Sequence, residues 1–171
     1  MFRSVSLPRT VNGALFLHAM PGRYETWDIF LKEAARWKIS LLISLAEEEE
    51  IHAKSPVYAD AIRSNTLPCK RERFPIPDFG IPRDRKAFLT FATHTAERLR
   101  IGERILVHCG AGIGRTGMFA VTLLMLLGIQ RLEAERAVAK AGSHPETKAQ
   151  QEIVDWLEKI LKTRKNELTR R

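Results

Sequence analysis

Residues 105–117 read ILVHCGAGIGRTG, and this stretch decides what fold to expect. The apolar residues at 105–107 are typical of a buried strand, and an apolar helical pattern begins at Met118. Between them lies a glycine-rich loop, residues 109–115, in which every second residue from 110 to 114 is glycine. The order therefore predicts a strand, a tight loop and a helix, with Cys109 at the entrance of the loop and Arg115 at its exit.

The glycine-rich loop has the composition of an anion-binding site. Without a Cβ, glycine lets the chain curl tightly and point successive backbone N–H groups inward. The following helix adds its unpaired N–H groups and the positive end of its dipole. We expect these amides to bind a phosphate, namely those of Gly110, Ala111, Gly112, Ile113 and Gly114. Arg115 can bind two phosphate oxygens at once, and the positive field favours a Cys109 thiolate, a nucleophile aimed at phosphorus.

The order His108, Cys109, five residues, then Arg115, Thr116 and Gly117 resembles the signature of the cysteine-dependent protein tyrosine phosphatase superfamily. The resemblance extends over about residues 15–161 and is closest to the compact dual-specificity branch. It implies a phosphoric monoester hydrolase that works through a cysteinyl-phosphate intermediate, with Cys109 and Arg115 as catalytic residues. It implies neither a metal nor a cofactor.

Other interpretations of the same letters fit less well. Gly112, Gly114 and Gly117 also spell the dinucleotide-binding pattern, but only helical patterns follow, so no second parallel strand closes the unit. A Walker loop would need a Lys-Ser/Thr pair after its last glycine. An ordinary buried Cys109 leaves the glycines and Arg115 unexplained. A rhodanese-like sulfur carrier and a phosphate-binding module without turnover stay open as alternatives.

A second catalytic group is needed because an alkoxide or phenolate leaves poorly without a proton. Asp78 lies in a proline-rich loop, residues 75–82 (PIPDFGIP), one predicted helix and one predicted strand before Cys109. By itself it reads as a solvated turn aspartate, but the resemblance places the general acid on such a loop. Asp84 is the weaker candidate.

Four further residues receive supporting roles from the resemblance. His108 is expected to be a structural hydrogen-bonding group beneath the loop, and Thr116 can donate its hydroxyl to the sulfur when the thiolate leaves. Gln150 is a candidate to orient the hydrolytic water, with help from Glu146. A solvated helix start is an equally good explanation for these last two.

The substrate class follows from what the chain lacks. It has neither the extra length nor the recognition loop of the large tyrosine-specific enzymes, so we expect a shallow pocket, phosphotyrosine hydrolysis and activity on phosphoserine and phosphothreonine. The variable positions of the loop are Ala111 and Ile113, so the loop contains no lysine. This argues against highly charged inositides as substrates. A phosphoinositide, inositol phosphate or RNA 5′-phosphate remains the alternative substrate. We expect a phosphorylated protein or peptide as partner, phosphate-like anions in the pocket, and no nucleic acid.

Composition indicates one soluble domain over residues 1–171, with 44% hydrophobic and 28% charged residues and a net charge of +8. No apolar run reaches the roughly 20 residues of a membrane span. Cys69 and Cys109 form neither a disulfide framework nor a zinc motif, which favours a reducing compartment and hence the cytoplasm. Cys69 is expected to be a buried strand cysteine, although a reversible disulfide with Cys109 is an alternative. The basic tail, residues 162–171, is expected to be a solvated helix end.

Hydrophobic periodicity completes an α/β prediction: a short mixed sheet of four to five strands with helices on both faces. The acidic run at residues 47–50 is expected to open a helical turn and to be solvated charge. The predicted strands are residues 14–18, 39–45, 69–76 and 105–107. The predicted helices are residues 24–37, 58–63, 84–100, 116–127, 132–141 and a last one from 145.

Overall fold

The computed structural model describes residues 1–169, apart from the side chains of residues 165, 168 and 169. The strands are β1 (Arg3–Val5), β2 (Ala14–His18), β3 (Leu41–Ser44), β4 (Lys70–Arg73) and β5 (Arg104–His108). The helices are α1 (Trp27–Arg36), α2 (Glu48–Lys54), α3 (Pro56–Arg63), α4 (Arg85–Arg100), α5 (Gly114–Leu126), α6 (Arg131–Lys140) and α7 (Lys148–Thr169).

The strands form one mixed sheet in the order β1-β2-β5-β3-β4, which places β5 at its centre. Strands β2, β5, β3 and β4 are parallel, and β1 joins the edge antiparallel to β2. In the register, His108 lies between His18 and Ser44, so three parallel strands end at one level. The segment after β5 therefore emerges at the carboxyl edge of the sheet, where α/β folds usually bind ligands.

Alternate residues of β5 supply the cores on the two faces of the sheet. Ile105 and Val107 pack with α4, α5, α6 and α7, whereas Leu106 packs with α1, α2 and α3. This alternation is the period-two geometry of a strand. Both faces are covered, which explains why β3 and β5 are almost continuously apolar.

The α/β class and the mixed sheet are confirmed, and the differences lie at element ends. Helix α1 begins at Trp27 rather than residue 24 because the Thr26 side chain accepts a bond from the N–H of Ile29 and caps it. Helix α7 begins at Lys148 rather than at Pro145. Strand β1 was not predicted, since a strand of three residues with one apolar side chain shows no alternation of apolar and polar residues. The basic tail continues α7 to Thr169, and residues 170 and 171 lie outside the described residues.

Within the part of the chain that the structure describes, no helix is long and apolar enough to cross a membrane.

The alternative disulfide between Cys69 and Cys109 is wrong because the two residues lie at opposite ends of the sheet. Leu41 pairs with both Lys70 and Ile105, so Cys69 precedes this row by one residue and Cys109 follows it by four. At about 3.3 Å per residue, the cysteines are roughly 16 Å apart along the strands alone. A disulfide requires Cα atoms within about 7 Å. Burial raises the pKa of the Cys69 thiol to about 11.

Gly117 allows α5 to approach the chain before α7, and this contact gives a first prediction. A Cβ at position 117 would overlap the backbone of His144. Alanine usually stabilises a helix relative to glycine by about 0.5–1 kcal/mol. Here we expect Gly117→Ala to lower the free energy of unfolding by about 1–3 kcal/mol, the usual cost of overpacking. Urea unfolding measures the change, and an equal or higher stability would show that α5 can shift without cost.

Candidate active site

The end of β5 places Cys109 at the floor of a pocket, where the residue is buried. The chain then passes through Gly112, whose φ of +74° lies in the left-handed region that favours glycine. This turn directs the N–H of Gly112 to the Cys109 Sγ at 3.2 Å. Helix α5 begins two residues later, at Gly114, so the unpaired N–H groups of its first turn lie at the end of the same loop.

Three carbonyl groups of the glycine-rich loop, those of Gly110, Gly112 and Ile113, are hydrogen-bonded away from the cavity. The C=O and N–H of a trans peptide point in opposite directions, and the described residues contain no cis peptide. Each outward carbonyl thus leaves the next N–H facing the inside of the loop, as an anion site requires. The outward bonds are Met20 N to Gly110 O, Arg3 Nη2 and Ser143 Oγ to Gly112 O, and Gly117 N and His144 N to Ile113 O.

Arg115 is buried, with only 2% of its side chain exposed, and it is paired with carboxylates. Its Nη1 and Nη2 donate to the two oxygens of Glu50 at 2.6 and 2.9 Å. Nη1 also donates to Ile76 O at 2.9 Å, and Nη2 to Asp78 Oδ1 at 2.7 Å. Burial alone would lower the pKa of Arg115, but Glu50, Cys109 and Asp78 raise it above its ordinary value.

Glu50 corrects the expectation that the acidic run is solvated. Its side chain is 9% exposed and accepts a further bond from Lys54 Nζ at 2.8 Å. Burial alone would raise the pKa of Glu50, but the bonds from Arg115 and Lys54 outweigh burial and hold the pKa below its ordinary value. The helix predicted at this acidic run is present as α2, and it brings Glu50 to Arg115.

Asp78 lies at the mouth of the pocket, and Asp84 does not. Asp78 Oδ2 accepts from Lys54 Nζ at 2.9 Å, so Lys54 joins the two carboxylates that contact Arg115. Asp84 caps α4 instead, accepting from the N–H groups of Lys86 and Ala87 at 2.8 and 3.0 Å. Of the two candidate acids, only Asp78 is placed beside the cysteine and arginine.

These groups surround a cavity of about 180 Å³. Its floor is Cys109 with Ala111 and Arg115, and the exposed Phe79 forms part of its wall. The other residues that line it are Arg23, Lys54, Asp78 and Glu146.

His108 is fully buried beneath the loop, and both of its ring nitrogens have partners. Nδ1 lies 3.1 Å from Cys109 O, which can only accept, so Nδ1 carries the proton. Nε2 then accepts from the hydroxyl of Tyr58 at 3.0 Å. Burial lowers the pKa of His108 to about 3, which keeps the ring neutral. These bonds leave no free nitrogen for proton transfer.

Thr116 and Gln150 are both buried near the loop. The Thr116 Oγ1 has no hydrogen-bond partner among the described residues, and its donation to the sulfur as the thiolate leaves stays a prediction. Gln150 is fully buried rather than solvated, and both ends of its amide bind the protein. Its Oε1 accepts from Glu146 N at 2.8 Å, and its Nε2 donates to Gly80 O at 3.1 Å. The Glu146 side chain lies against the backbone of Gly114 at the cavity wall.

Sequence reasoning missed several residues that shape the site, namely Arg3, Arg23, Glu50, Lys54, Tyr58 and Ser143. Among these residues, only Glu50 and Lys54 could have been found from the sequence, since an acid and a base four residues apart on a helix are neighbours. No metal-binding group of three or more His, Cys, Asp or Glu side chains is present among residues 1–169.

Comparison with known proteins identifies the family. A family model described as the DSP-PTPase phosphatase domain of Swiss Army Knife proteins matches residues 20–167. The chain belongs to this phosphatase family. The match includes the glycine-rich loop, Asp78 and Gln150, but it begins after Arg3.

Relatives and solved structures agree with this assignment. The putative tyrosine phosphatase 197R of Invertebrate iridescent virus 6 is 33% identical over 88 residues, which cover 49% of this chain and 32% of the viral protein. The chain therefore matches about a third of that relative's length. The structure of Tk-PTP in its active form is 27% identical with a TM-score of 0.68, covering 92% of this chain and 97% of that one. Kinase associated phosphatase shares the fold with a TM-score of 0.77 at 20% identity, covering 94% and 96%.

Glu50 gives the second prediction, because it fixes the plane of the Arg115 guanidinium. Breaking a buried ion pair by changing one partner typically costs about 3–5 kcal/mol of stability. We expect Glu50→Gln to destabilise the protein and to reduce its affinity for inorganic phosphate. The neighbouring, exposed Glu49 provides the matched control, and Glu49→Gln should change neither property. Urea unfolding measures the stability and phosphate titration measures the affinity. Equal effects of Glu50→Gln and Glu49→Gln would show that Glu50 has no special role in the site.

The same variant has a pH signature. The folded-state pKa of Glu50 lies below its ordinary value of 4.5. Its contribution to stability is therefore fully present above that value and is lost as pH falls through the folded-state pKa. The difference in unfolding free energy between wild type and Glu50→Gln should narrow as the pH is lowered below 4.5. A difference that grew toward acid pH would contradict the pairing.

Proposed function

We propose that the protein is a metal-independent phosphatase that hydrolyses phosphotyrosine, phosphoserine and phosphothreonine in protein or peptide substrates. The main support is one arrangement: Cys109, Arg115 and Asp78 line a single cavity above a loop whose carbonyls point outward. The family match adds to it. The viral relative, named a putative tyrosine phosphatase, agrees with phosphotyrosine as a substrate.

In the first step the Cys109 thiolate attacks phosphorus, so that an S–P bond forms as the P–O bond to the leaving group breaks. The loop amides of residues 110–114 and Arg115 stabilise the equatorial oxygens. A phosphate oxygen takes the position at Arg115 Nη2 that the Asp78 carboxylate occupies without substrate. Asp78, released from Arg115, takes up a proton from solvent and passes it to the leaving oxygen.

In the second step water attacks the phosphocysteine, Asp78 accepts the water proton, and phosphate and the thiolate are released. Gln150 acts here through position, because its amide holds the proline-rich loop at Gly80 O. Glu146 lines the cavity and is the nearer candidate for contact with the attacking water. His108 supports the loop from below without exchanging protons, and the Thr116 hydroxyl donates to the sulfur as the thiolate leaves. We place the protein in a reducing compartment such as the cytoplasm, since the mechanism needs a free thiol.

A substrate panel tests this proposal. Purified protein with a chelator present is assayed on phosphotyrosine and phosphoserine peptides, a phosphoinositide, an inositol phosphate and an RNA 5′-phosphate. The highest kcat/KM is expected on the phosphotyrosine peptide. Preference for a non-protein ester would keep the mechanism and replace the substrate class. Phosphate binding without turnover on any substrate would leave a binding module, and activity lost with chelator would refute metal independence.

The nucleophile is tested with the two cysteines of the chain. We expect Cys109→Ser to abolish turnover and to retain phosphate binding, because the anion is held by backbone amides and Arg115. Cys69→Ser is the matched control and should keep wild-type kinetics, since Cys69 lies far from the pocket. Steady-state rates and phosphate titration separate the two effects. Turnover by a Cys109→Ser preparation above trace contamination would exclude Cys109 as the nucleophile.

The general acid is tested with leaving groups. Asp78→Asn should slow hydrolysis by roughly 10²–10⁴-fold on an alkyl phosphate, whose alkoxide needs a proton. The loss should be much smaller on an activated aryl phosphate, whose phenolate leaves unaided. Asp84→Asn is the control, because this substitution affects only the cap of α4. A rate loss that is equal for both leaving groups in Asp78→Asn would argue that Asp78 only organises the pocket.

A further inference from the structure

Arg3 lies outside the residues matched by the family model, yet its side chain contacts the glycine-rich loop. It lies on β1, the edge strand that pairs antiparallel with β2. Its Nη2 donates to Gly112 O at 2.6 Å and its Nη1 to Gly142 O at 2.7 Å. One guanidinium thus connects the loop with the segment between α6 and α7.

The Gly112 carbonyl has a second donor. Ser143 is fully buried, and its Oγ donates to the same oxygen at 2.6 Å. Two short bonds, one of them charge-assisted, hold this carbonyl away from the cavity. Because the peptide is trans and planar, the N–H of Ile113 points to the opposite side.

The orientation of this peptide decides the charge that a phosphate meets. Glycine at 112 has access to backbone conformations that other residues avoid, so the chain itself does little to prevent rotation of the peptide plane. A rotated plane would remove the N–H of Ile113 from the anion site and would turn a carbonyl oxygen toward the phosphate. The donors on the outer side oppose this rotation, since a buried carbonyl without a partner is costly.

We propose that Arg3, with Ser143, is a positioning residue that fixes the Gly112–Ile113 peptide with its N–H directed at the substrate phosphate. This inference rests on the proposed function, because it assigns the loop to phosphate. Arg3 contacts no substrate atom and acts only through Gly112. The segment before the family match therefore supports the phosphate site of this chain from outside the cavity.

The test measures the affinity of the full chain for inorganic phosphate, as the protection of Cys109 from iodoacetamide. We expect Arg3→Met to weaken binding by roughly 10- to 100-fold, the range for one hydrogen bond to a charged group. The phosphate affinity of Arg3→Lys should lie between those of wild type and Arg3→Met, since one ammonium group can form only one of the two hydrogen bonds that the guanidinium makes. Ser143→Ala should also weaken binding. Arg9→Met is the control, because Arg9 is exposed in the same segment, and it should bind as wild type does.

A thermal melt of each variant separates positioning from stability. A purely structural role would lower the melting temperature and leave the phosphate affinity of the folded protein unchanged, and that result in Arg3→Met and Ser143→Ala would overturn the proposal. If Arg3→Met does not fold, Arg3→Lys and Ser143→Ala decide by the same criterion. If the wild type binds phosphate but hydrolyses no substrate, and the variants lose phosphate binding, the positioning role is supported and only the catalytic proposal is refuted. A wild type that binds no phosphate would overturn both.

Discussion

The ion pair between Arg115 and Glu50 is the constraint on which the site depends. A buried guanidinium needs a partner, and Glu50 provides one with both carboxylate oxygens while Ile76 O takes a further N–H. The plane of the guanidinium is therefore fixed before any substrate arrives. Its bond to Asp78 is of another kind, because the Asp78 side chain is 46% exposed against 9% for Glu50. The proposed mechanism therefore exchanges the more exposed Asp78 carboxylate, and not Glu50, for a phosphate oxygen.

The second requirement is that the loop carbonyls point outward, and the loop cannot achieve this alone. Their donors come from the segment after β2, from β1 and from the segment between α6 and α7. Beneath the loop, Tyr58 and the neutral His108 bond in series to the Cys109 carbonyl. Residues separated by most of the chain therefore determine the direction of a few N–H groups. An anion site of seven residues needs a whole domain because each outward carbonyl must find a buried partner.

The parts of the fold that depend on neighbouring residues in the sequence could be predicted from the sequence. The strand, the glycine-rich loop and the helix around Cys109 follow from periodicity and turn chemistry within one stretch, and the start of α1 moved where the Thr26 cap intervened. Asp78 could be chosen over Asp84 only through the family resemblance, since either is a plausible loop carboxylate. Glu50 and Arg3 contact residues 65 and 109 positions away, and no pattern in a single sequence reveals such contacts. The orientation of the Thr116 hydroxyl depends on side-chain packing, which spacing does not specify.

The proline-rich loop shows how far the proposed acid can move. Its first half is held at Ile76, whose N–H bonds to Leu45 O and whose carbonyl accepts from Arg115. Its second half is held at Gly80, whose N–H bonds to Pro77 O and whose carbonyl accepts from Gln150. Between these anchors lie the two exposed residues of the tip, Asp78, which is 46% exposed and paired with Arg115 and Lys54, and Phe79, which is 64% exposed. Both backbone groups of Gly80 are therefore hydrogen-bonded. In the proposed mechanism, phosphate replaces Asp78 at Arg115, and the anchors at Ile76 and Gly80 restrict the resulting movement of the carboxylate to the tip of the loop.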